Sequence, residues 1–485
     1  MNMPIKLEKL LAIIIIAIAL ILIPLKIISI GYKPLDDACR HVAFSMGNRN
    51  WSDILVITPG LESDHNAGWH TLLRVVQRCL NFDKEQLLNF SIIFLFLLFN
   101  LTGAITSRNC AAWFVTMLII FIIQIDFFSR LVCGRPFIIS CSAALILFKI
   151  WFTEPKEKSD NPSKFIIYLI SFIALTVSVW LHGTWYNFLL IPITLFLSGK
   201  PLKALELIVL IAISTLAGAY LTGDFHEFLY FHYQATLNIL SEKIYNWQLV
   251  TEFAEGNVYY AWLFPIVIII SLLHKMNKLK LNELSRDSVF IFILLSWLLS
   301  LRVTRFWFDW GLIAVCYWLS GKISVLISEM ESVKKPFIRY FLFLFLIAAS
   351  IVIIPQANWD KRAEHKSNIA DFSKQELADF IPEEGGIVYN DSMSEFYFNY
   401  YTYPEAKYRY ILGFEPAIMP QEDKVVFRDI VFTNYHYSAY KPWIAKLTPK
   451  DRIYTKVNIS DYYKELDWIK ASSKLWIGKL KNRNG

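Results

Sequence analysis

The sequence predicts a polytopic α-helical membrane protein with a small α/β domain at its C-terminal end. Three observations predict it. The 485 residues are 55% hydrophobic and 18% charged, with mean hydropathy +0.41, a combination soluble domains rarely reach. The apolar residues gather in runs of membrane-spanning length, not with amphipathic period. After residue 356 the grammar changes to alternating strand-like and helix-like segments. The expected division is a membrane module over 1–355 and an extracytoplasmic α/β domain over 356–485.

Residues 10–30 follow Lys6 and Lys9 and reach the length of a span. A signal peptide has a shorter apolar core and a small-residue cleavage site. The run therefore reads as an uncleaved span with a cytoplasmic N-terminus. Residues 31–88 are then the first external loop. Asp36 to Met46 can begin a helix. Asn66 to Leu80 puts Trp69, Leu72, Leu73, Val76 and Leu80 on one face, which suits a helix lying at the membrane interface.

Further spans are expected at 88–106, 110–126, 132–152, 165–181, 184–198, 203–222, 259–274, 287–301, 306–328 and 337–355, about eleven in all. Lysines cluster in the loops around 149–164, 199–203, 275–286 and 329–339. By the positive-inside rule these loops face the cytoplasm, so the tail lies outside. The net charge of +7 then reflects orientation, and no nucleic-acid partner is expected. The external loop 224–258 is aromatic and too polar to span, and can form one or two interfacial helices.

In the tail, strands are expected at 386–390, 408–413, 429–434, 452–457 and 475–480. Helices are expected at 373–380, 392–401, 437–447 and 460–466. This alternation predicts a mostly parallel sheet. Six cysteines occur without a CxxC pair, so no zinc site or disulfide framework is expected. Cys39 and Cys79 share one loop and could pair.

The loop after the first apolar run carries Asp36 and Asp37, with Arg40 one helical turn on. Adjacent carboxylates repel, which raises one pKa unless a cation is near. A carboxylate at the wet end of a span can act as general base towards a hydroxyl. The plainer alternative is an aspartate capping a helix. Arg130, Arg135, Arg302 and Arg305 lie on the lysine-poor face, within or beside apolar runs. Cations there are costly unless paired or used. Arginine forks suit a phosphate or diphosphate. The alternatives are an i,i+4 pair of Arg305 with Asp309 and snorkelling by Arg135. His65, His70, His182, Asp224 and His226 are further polar candidates for substrate binding. His182, Asp224 and His226 could hold a metal, but their spacing is not diagnostic. No residue pattern requires a cofactor; a divalent cation is an open choice.

These features converge on a resemblance. Pro34-Leu-Asp36-Asp37 opens the first external loop, HNAGWHTLLRVV follows it, and the tail contains GGIVYNDSMSEFYFNYYTYP and YILGFEPAIM. With many spans and an external C-terminal domain, the chain resembles the GT-C superfamily of polytopic membrane glycosyltransferases. The resemblance implies transfer of a sugar from a polyprenyl-phosphate-linked donor to a glycan, lipid or protein acceptor, with an acidic residue of the first external loop as the catalytic group. It implies work on the outer face of a cytoplasmic membrane, most readily a bacterial one. The second acidic residue is Asp where many relatives carry Glu. Trp307-Phe-Asp309-Trp310-Gly311 is similar to the Trp-Trp-Asp-Tyr-Gly string of oligosaccharyltransferases. It lies at a span start, so asparagine-glycan transfer is not inferred from it. The competing readings are a flippase for lipid-linked glycan and a polysaccharide polymerase or ligase.

Overall fold

A computed structural model describes residues 22–25, 28–29, 37–47, 49–153, 163–241, 286–332 and 369–481. Expected spans 259–274 and 337–355, and most of 10–30, lie outside these residues, as does Asp36. The chain forms two compact units. The first holds 1–31, 90–223 and 251–359; the second holds 32–89, 224–250 and 360–485. Most of the two expected external loops, 32–88 and 224–250, thus groups with the tail.

The first unit is helical. Four helices are long and apolar enough to cross a membrane: Lys84–Thr106, Lys164–His182, Pro201–Leu221 and Trp307–Ser328. They suggest a membrane protein. Four shorter apolar helices, Cys110–Ile123, Phe137–Phe152, Trp185–Leu197 and Ser288–Ser300, fall where other spans are expected. The outward faces stay apolar: Ile105 is 81% exposed, Leu202 77% and Phe165 71%. That much exposed apolar surface suits lipid rather than water. Between helices, small residues permit close approach. A Cβ on Gly218 would lie 2.7 Å from Val179 and 3.0 Å from the Thr176 carbonyl. Polar side chains also pair across helices: Ser140 with Ser178 at 2.9 Å, and Trp151 Nε1 donating to Ser171 at 3.0 Å.

The second unit is built on a five-stranded sheet in the order β2-β1-β3-β5-β4. The strands are β1 (Ile387–Asn390), β2 (Arg409–Tyr410), β3 (Arg452–Thr455), β4 (Leu466–Ser472) and β5 (Leu475–Leu480). β1 pairs parallel with β2 and β3, while β5 pairs antiparallel with β3 and β4. The sheet is therefore mixed rather than mostly parallel. The cause is local: two residues, 473–474, join β4 to β5, and so short a turn can only close an antiparallel hairpin.

Two other tail expectations fail. Residues 429–434 are the end of a helix, Gln421–Phe432, not a strand. Its buried Asp423, Val426, Phe427 and Ile430 recur at helical spacing, and acidic Glu422 and Asp423 suit the first turn. Residues 460–466 are turns running into β4, not a helix.

Alternate strand residues enter two cores, one per sheet face. One contains Tyr389, Ile453, Trp443 and Ile430. The other contains Val388, Tyr454 and Ile477 with Phe396 and Tyr400 of the Met393–Thr402 helix. The first loop joins this second core through Phe44, Trp51, Ile54 and Leu55, and loop 224–258 joins it through Phe231. Val56 N–H donates to the Tyr410 carbonyl at 2.9 Å, so the loop also covers the β2 edge. The Ala67–Leu80 helix buries Trp69, His70 and Leu73 and leaves Val75 52% and Leu80 56% exposed. Its buried side packs on the Asp37–Met46 helix, where His70 lies 4.6 Å from Phe44. Cys39 is a buried and Cys79 an exposed free thiol; they form no disulfide.

Candidate functional site

Two polar clusters stand out, one in each unit. The second unit's cluster starts on the Asp37–Met46 helix. Positions 37, 40, 41 and 44 share one helical face, which brings Asp37, Arg40, His41 and Phe44 into line. Arg40 Nε donates to Asp37 Oδ1 at 2.9 Å, with side chains 3% and 25% exposed. The guanidinium lies 4.1 Å from the Phe414 ring centroid and 5.5 Å from that of Trp51. Among the described residues Arg40 Nη1 has no hydrogen-bond partner, and it is buried. Phe44 stacks on Trp51 at 4.2 Å, which fixes the depth of the helix.

One step along the helix, His41 enters a chain of hydrogen bonds. His41 Nδ1 lies 2.8 Å from His70 Nε2, and His70 Nδ1 lies 2.6 Å from Asp64 Oδ2. Burial would raise the Asp64 pKa, but its interactions with His70, then with His65 and the Asn66 N–H, overcome it and hold the group at about 2. Burial lowers the His70 pKa despite Asp64. At neutral pH Asp64 is therefore an anion that only accepts, so His70 Nδ1 carries the proton. His70 Nε2 then accepts from His41 Nδ1. A neutral His41 so oriented keeps its lone pair on Nε2. Acceptor chains of this kind orient and sharpen an imidazole base.

His65 stacks on Phe231 at 5.2 Å and lies edge-on to His232 at 6.4 Å. Burial, then the charge of Arg40, lowers His65 to about 3; burial, then His65, lowers His232 to about 3. Both rings are neutral. His65 Nδ1 is buried, with no hydrogen-bond partner among the described residues.

Asp37, Arg40, His65 and His70 are thus gathered in one unit, as the sequence places them in one loop. Asp224 and His226 belong to the same unit but are exposed at the start of the Phe225–Ser241 helix. That helix sends Phe231 and His232 inward instead. Sequence reasoning missed the roles of Asp64 and His41. Their signal was present: His41 is i+4 from Asp37, and Asp64 precedes the helix carrying His70.

In the first unit, Asp309 holds two arginines. Arg130 Nε donates to Oδ1 at 2.6 Å and Arg305 Nε donates to Oδ2 at 2.7 Å. The carboxylate is 4% exposed. The i,i+4 pairing of Arg305 is therefore realised, and Arg130 joins it from a different helix. A shared anion fixes both guanidinium forks. Phe137 lies 4.8 Å beneath Arg130. A π-helical turn, Trp307–Gly311, carries Asp309; a Cβ on Gly311 would sit 2.5 Å from Trp307. His182 Nδ1 lies 2.9 Å from Ser140 Oγ and 2.8 Å from Thr184 Oγ1. Arg135 and Arg302 are half-buried in the same unit.

His182 falls in the first unit, and Asp224 and His226 in the second. Among the described residues no group of three metal-ligating side chains occurs. Comparison with known protein families and with curated proteins finds no match for this chain.

Proposed function

We propose that the protein is a membrane glycosyltransferase of GT-C type. It moves a sugar from a polyprenyl-phosphate-linked donor to a hydroxyl of a glycan, lipid or protein acceptor, on the outer face of a cytoplasmic membrane with about eleven spans. The observation that carries this reading is the Asp37 carboxylate. It is partly exposed, held by Arg40, and seated one helical turn before a histidine in the Asp64–His70–His41 chain. A general base needs an accessible carboxylate in a fixed position, and this is one.

Asp37, or Asp36 beside it, takes the proton from the acceptor hydroxyl. The oxygen forms its bond to the anomeric carbon as the bond from that carbon to the phosphate oxygen breaks. The polyprenyl phosphate leaves with the electron pair. Displacement by a single base inverts the anomeric centre, by the logic that separates the two glycosidase classes. Arg130, Arg135, Arg302 and Arg305 are proposed for the donor phosphate on chemistry alone, since guanidinium forks suit the developing negative charge on such a leaving group. Arg40, His65 and His70 shape the acceptor side.

The test is release of polyprenyl phosphate by the purified chain in detergent, across a panel of polyprenyl-phosphate sugars. Wild type is expected to release it, and the Asp36→Ala/Asp37→Ala variant to be at least about 100-fold slower while still folded. Equal release by both removes the carboxylates from the mechanism. Absence of release from any donor, with flipping of labelled lipid in proteoliposomes, replaces the enzyme with a flippase.

A further inference from the structure

The first unit contains a cavity of about 970 Å³ that the transfer reading does not use. It lies well away from Asp309. Lys322, on its wall, is thirteen residues along the same helical stretch, which is roughly 20 Å of rise. Among the described residues the cavity is lined by Arg108, Lys200, Arg286 and Lys322, with Asp287 as the one carboxylate. These come from four separate segments of chain, so the convergence is a property of the fold.

Asp287 does not neutralise them. Its Oδ1 accepts the backbone N–H groups of Val289 and Phe290, capping the Ser288–Ser300 helix. Its Oδ2 accepts from Trp318 Nε1 at 3.2 Å. That carboxylate accepts from three neutral donors, and its single charge is set against four cations. Arg108, Arg286 and Lys322 make no ion pair among the described residues. Lys322 Nζ lies 5.0 Å from the Trp318 ring centroid, so Trp318 holds it at the wall.

Hydroxyl groups fill the spaces between the cations. Ser288 Oγ donates to Ser198 Oγ at 2.9 Å, and Thr153 and Tyr317 hydroxyls lie 3.0 Å apart. Phe152, Val289 and Val325 add apolar wall. Two glycines keep the space clear: at Gly199 and Gly321 an added Cβ would meet nothing within 4 Å. The positive-inside rule accounts for cations in lysine-rich loops. It does not require them to converge on one cavity with hydroxyl groups between them.

We propose that this cavity is a binding site for a phosphate-bearing anion, held by Arg108, Arg286 and Lys322 with the one proton that the Thr153–Tyr317 hydroxyl pair has left to donate. Arginine forks and an ammonium group answer the three oxygens of a phosphate monoester, and that hydroxyl completes the set. The volume is that of a small-ligand site. The phosphate can belong to a lipid headgroup, whose chains would meet the apolar wall, or to a free anion. The proposal does not depend on the sugar-transfer reading.

The experiment is a thermal-shift titration of the full chain in neutral detergent. The probes are phosphatidic acid, phosphatidylcholine and inorganic pyrophosphate. Two variants accompany wild type: Arg108→Gln/Arg286→Gln/Lys322→Gln, which removes charge, and Gly321→Phe, which fills space. Both alter exposed or open positions, and their ligand-free melting checks the fold. Saturable stabilisation by phosphatidic acid but not phosphatidylcholine, weakened more than about tenfold in both variants, supports the site with a lipid source. The same pattern with pyrophosphate supports a free anion. No saturable response to either phosphate probe, or variants that respond like wild type, overturns the proposal.

Discussion

At the scale of single residues, the second unit is organised by imidazoles that cannot charge. Burial first, then a neighbouring cation or ring, holds His65 and His232 at about 3, against 6.5 for the free side chain. Below about 6.5 the unfolded chain takes up protons that the folded one refuses. Stability therefore falls as pH drops from about 6.5 towards 3. At pH 5 each ring costs about 2 kcal/mol. Denaturant melting at pH 5 and pH 7 checks this, and His232→Phe should remove about half of the difference; a flat profile in wild type refutes it. Asp64 acts in another window: its folded pKa is lowered, so its contribution is lost only as pH falls from about 4 to about 2. Asp64→Asn should lower stability by about 1–3 kcal/mol, because His70 loses its charged acceptor. If the chain of hydrogen bonds shapes the acceptor side through His70, the same variant slows transfer by about 10-fold or more and moves the pH–rate profile. Unchanged rate and profile would leave Asp64 a purely structural residue. Asp37, Arg40, His65 and His70 were legible in sequence because they share one loop and helical spacing joins three of the contacts. Phe414 beneath Arg40 and His232 beside His65 were not, since each comes from a segment 160 or more residues away along the printed sequence.

At the scale of elements, run length and hydropathy were enough to place helices, and periodicity was enough to place most strands. Where the reading failed, two periods competed in a short segment. Asp-Ile-Val-Phe-Thr-Asn has strand composition, but the helix that contains it begins eight residues earlier at Gln421 and is driven by Val426, Phe427 and Ile430. β4 was hidden for the converse reason: Leu466 and Trp468 alternate, but charged Asp467 and Lys470 weaken the strand signal. Helix packing in the first unit gives a direct test. Gly218 lets the Pro201–Leu221 and Lys164–His182 helices meet at the Thr176 carbonyl and Val179. Gly218→Ala must push them apart and should cost about 1–3 kcal/mol, against the usual gain of a glycine-to-alanine change within a helix. Melting in detergent measures it. A raised melting temperature would mean that the two helices do not meet there.

At the scale of the whole molecule, the lysine distribution predicts an orientation that native thiols can test. Cys79 and Cys110 are exposed, and the other four cysteines are buried. The proposed topology puts Cys79 outside and Cys110, beside Arg108, inside. A membrane-impermeant maleimide should modify Cys79 in intact cells and Cys110 only after permeabilisation; the reverse pattern inverts the orientation. The sequence could not reveal that the second unit is assembled from three distant stretches. No local signal marks Leu55 as the neighbour of Tyr410, or Trp51 as lying 4.9 Å from Phe414. That arrangement has a consequence for how the protein is made. Arg49 donates to the Pro404 carbonyl across 355 residues of chain. Residues 37–80 leave the ribosome long before residues 404–414 exist, and contacts so remote in sequence are slow to close. Throughout translation the nascent first loop carries Phe44, Trp51 and Leu55 with nothing to bury them, a state that invites aggregation or a chaperone. Every residue around Asp37 that belongs to the loop has then been synthesised, yet the ring beneath Arg40 has not. A message cut short after its last membrane segment would yield an inserted protein whose polar cluster never closes.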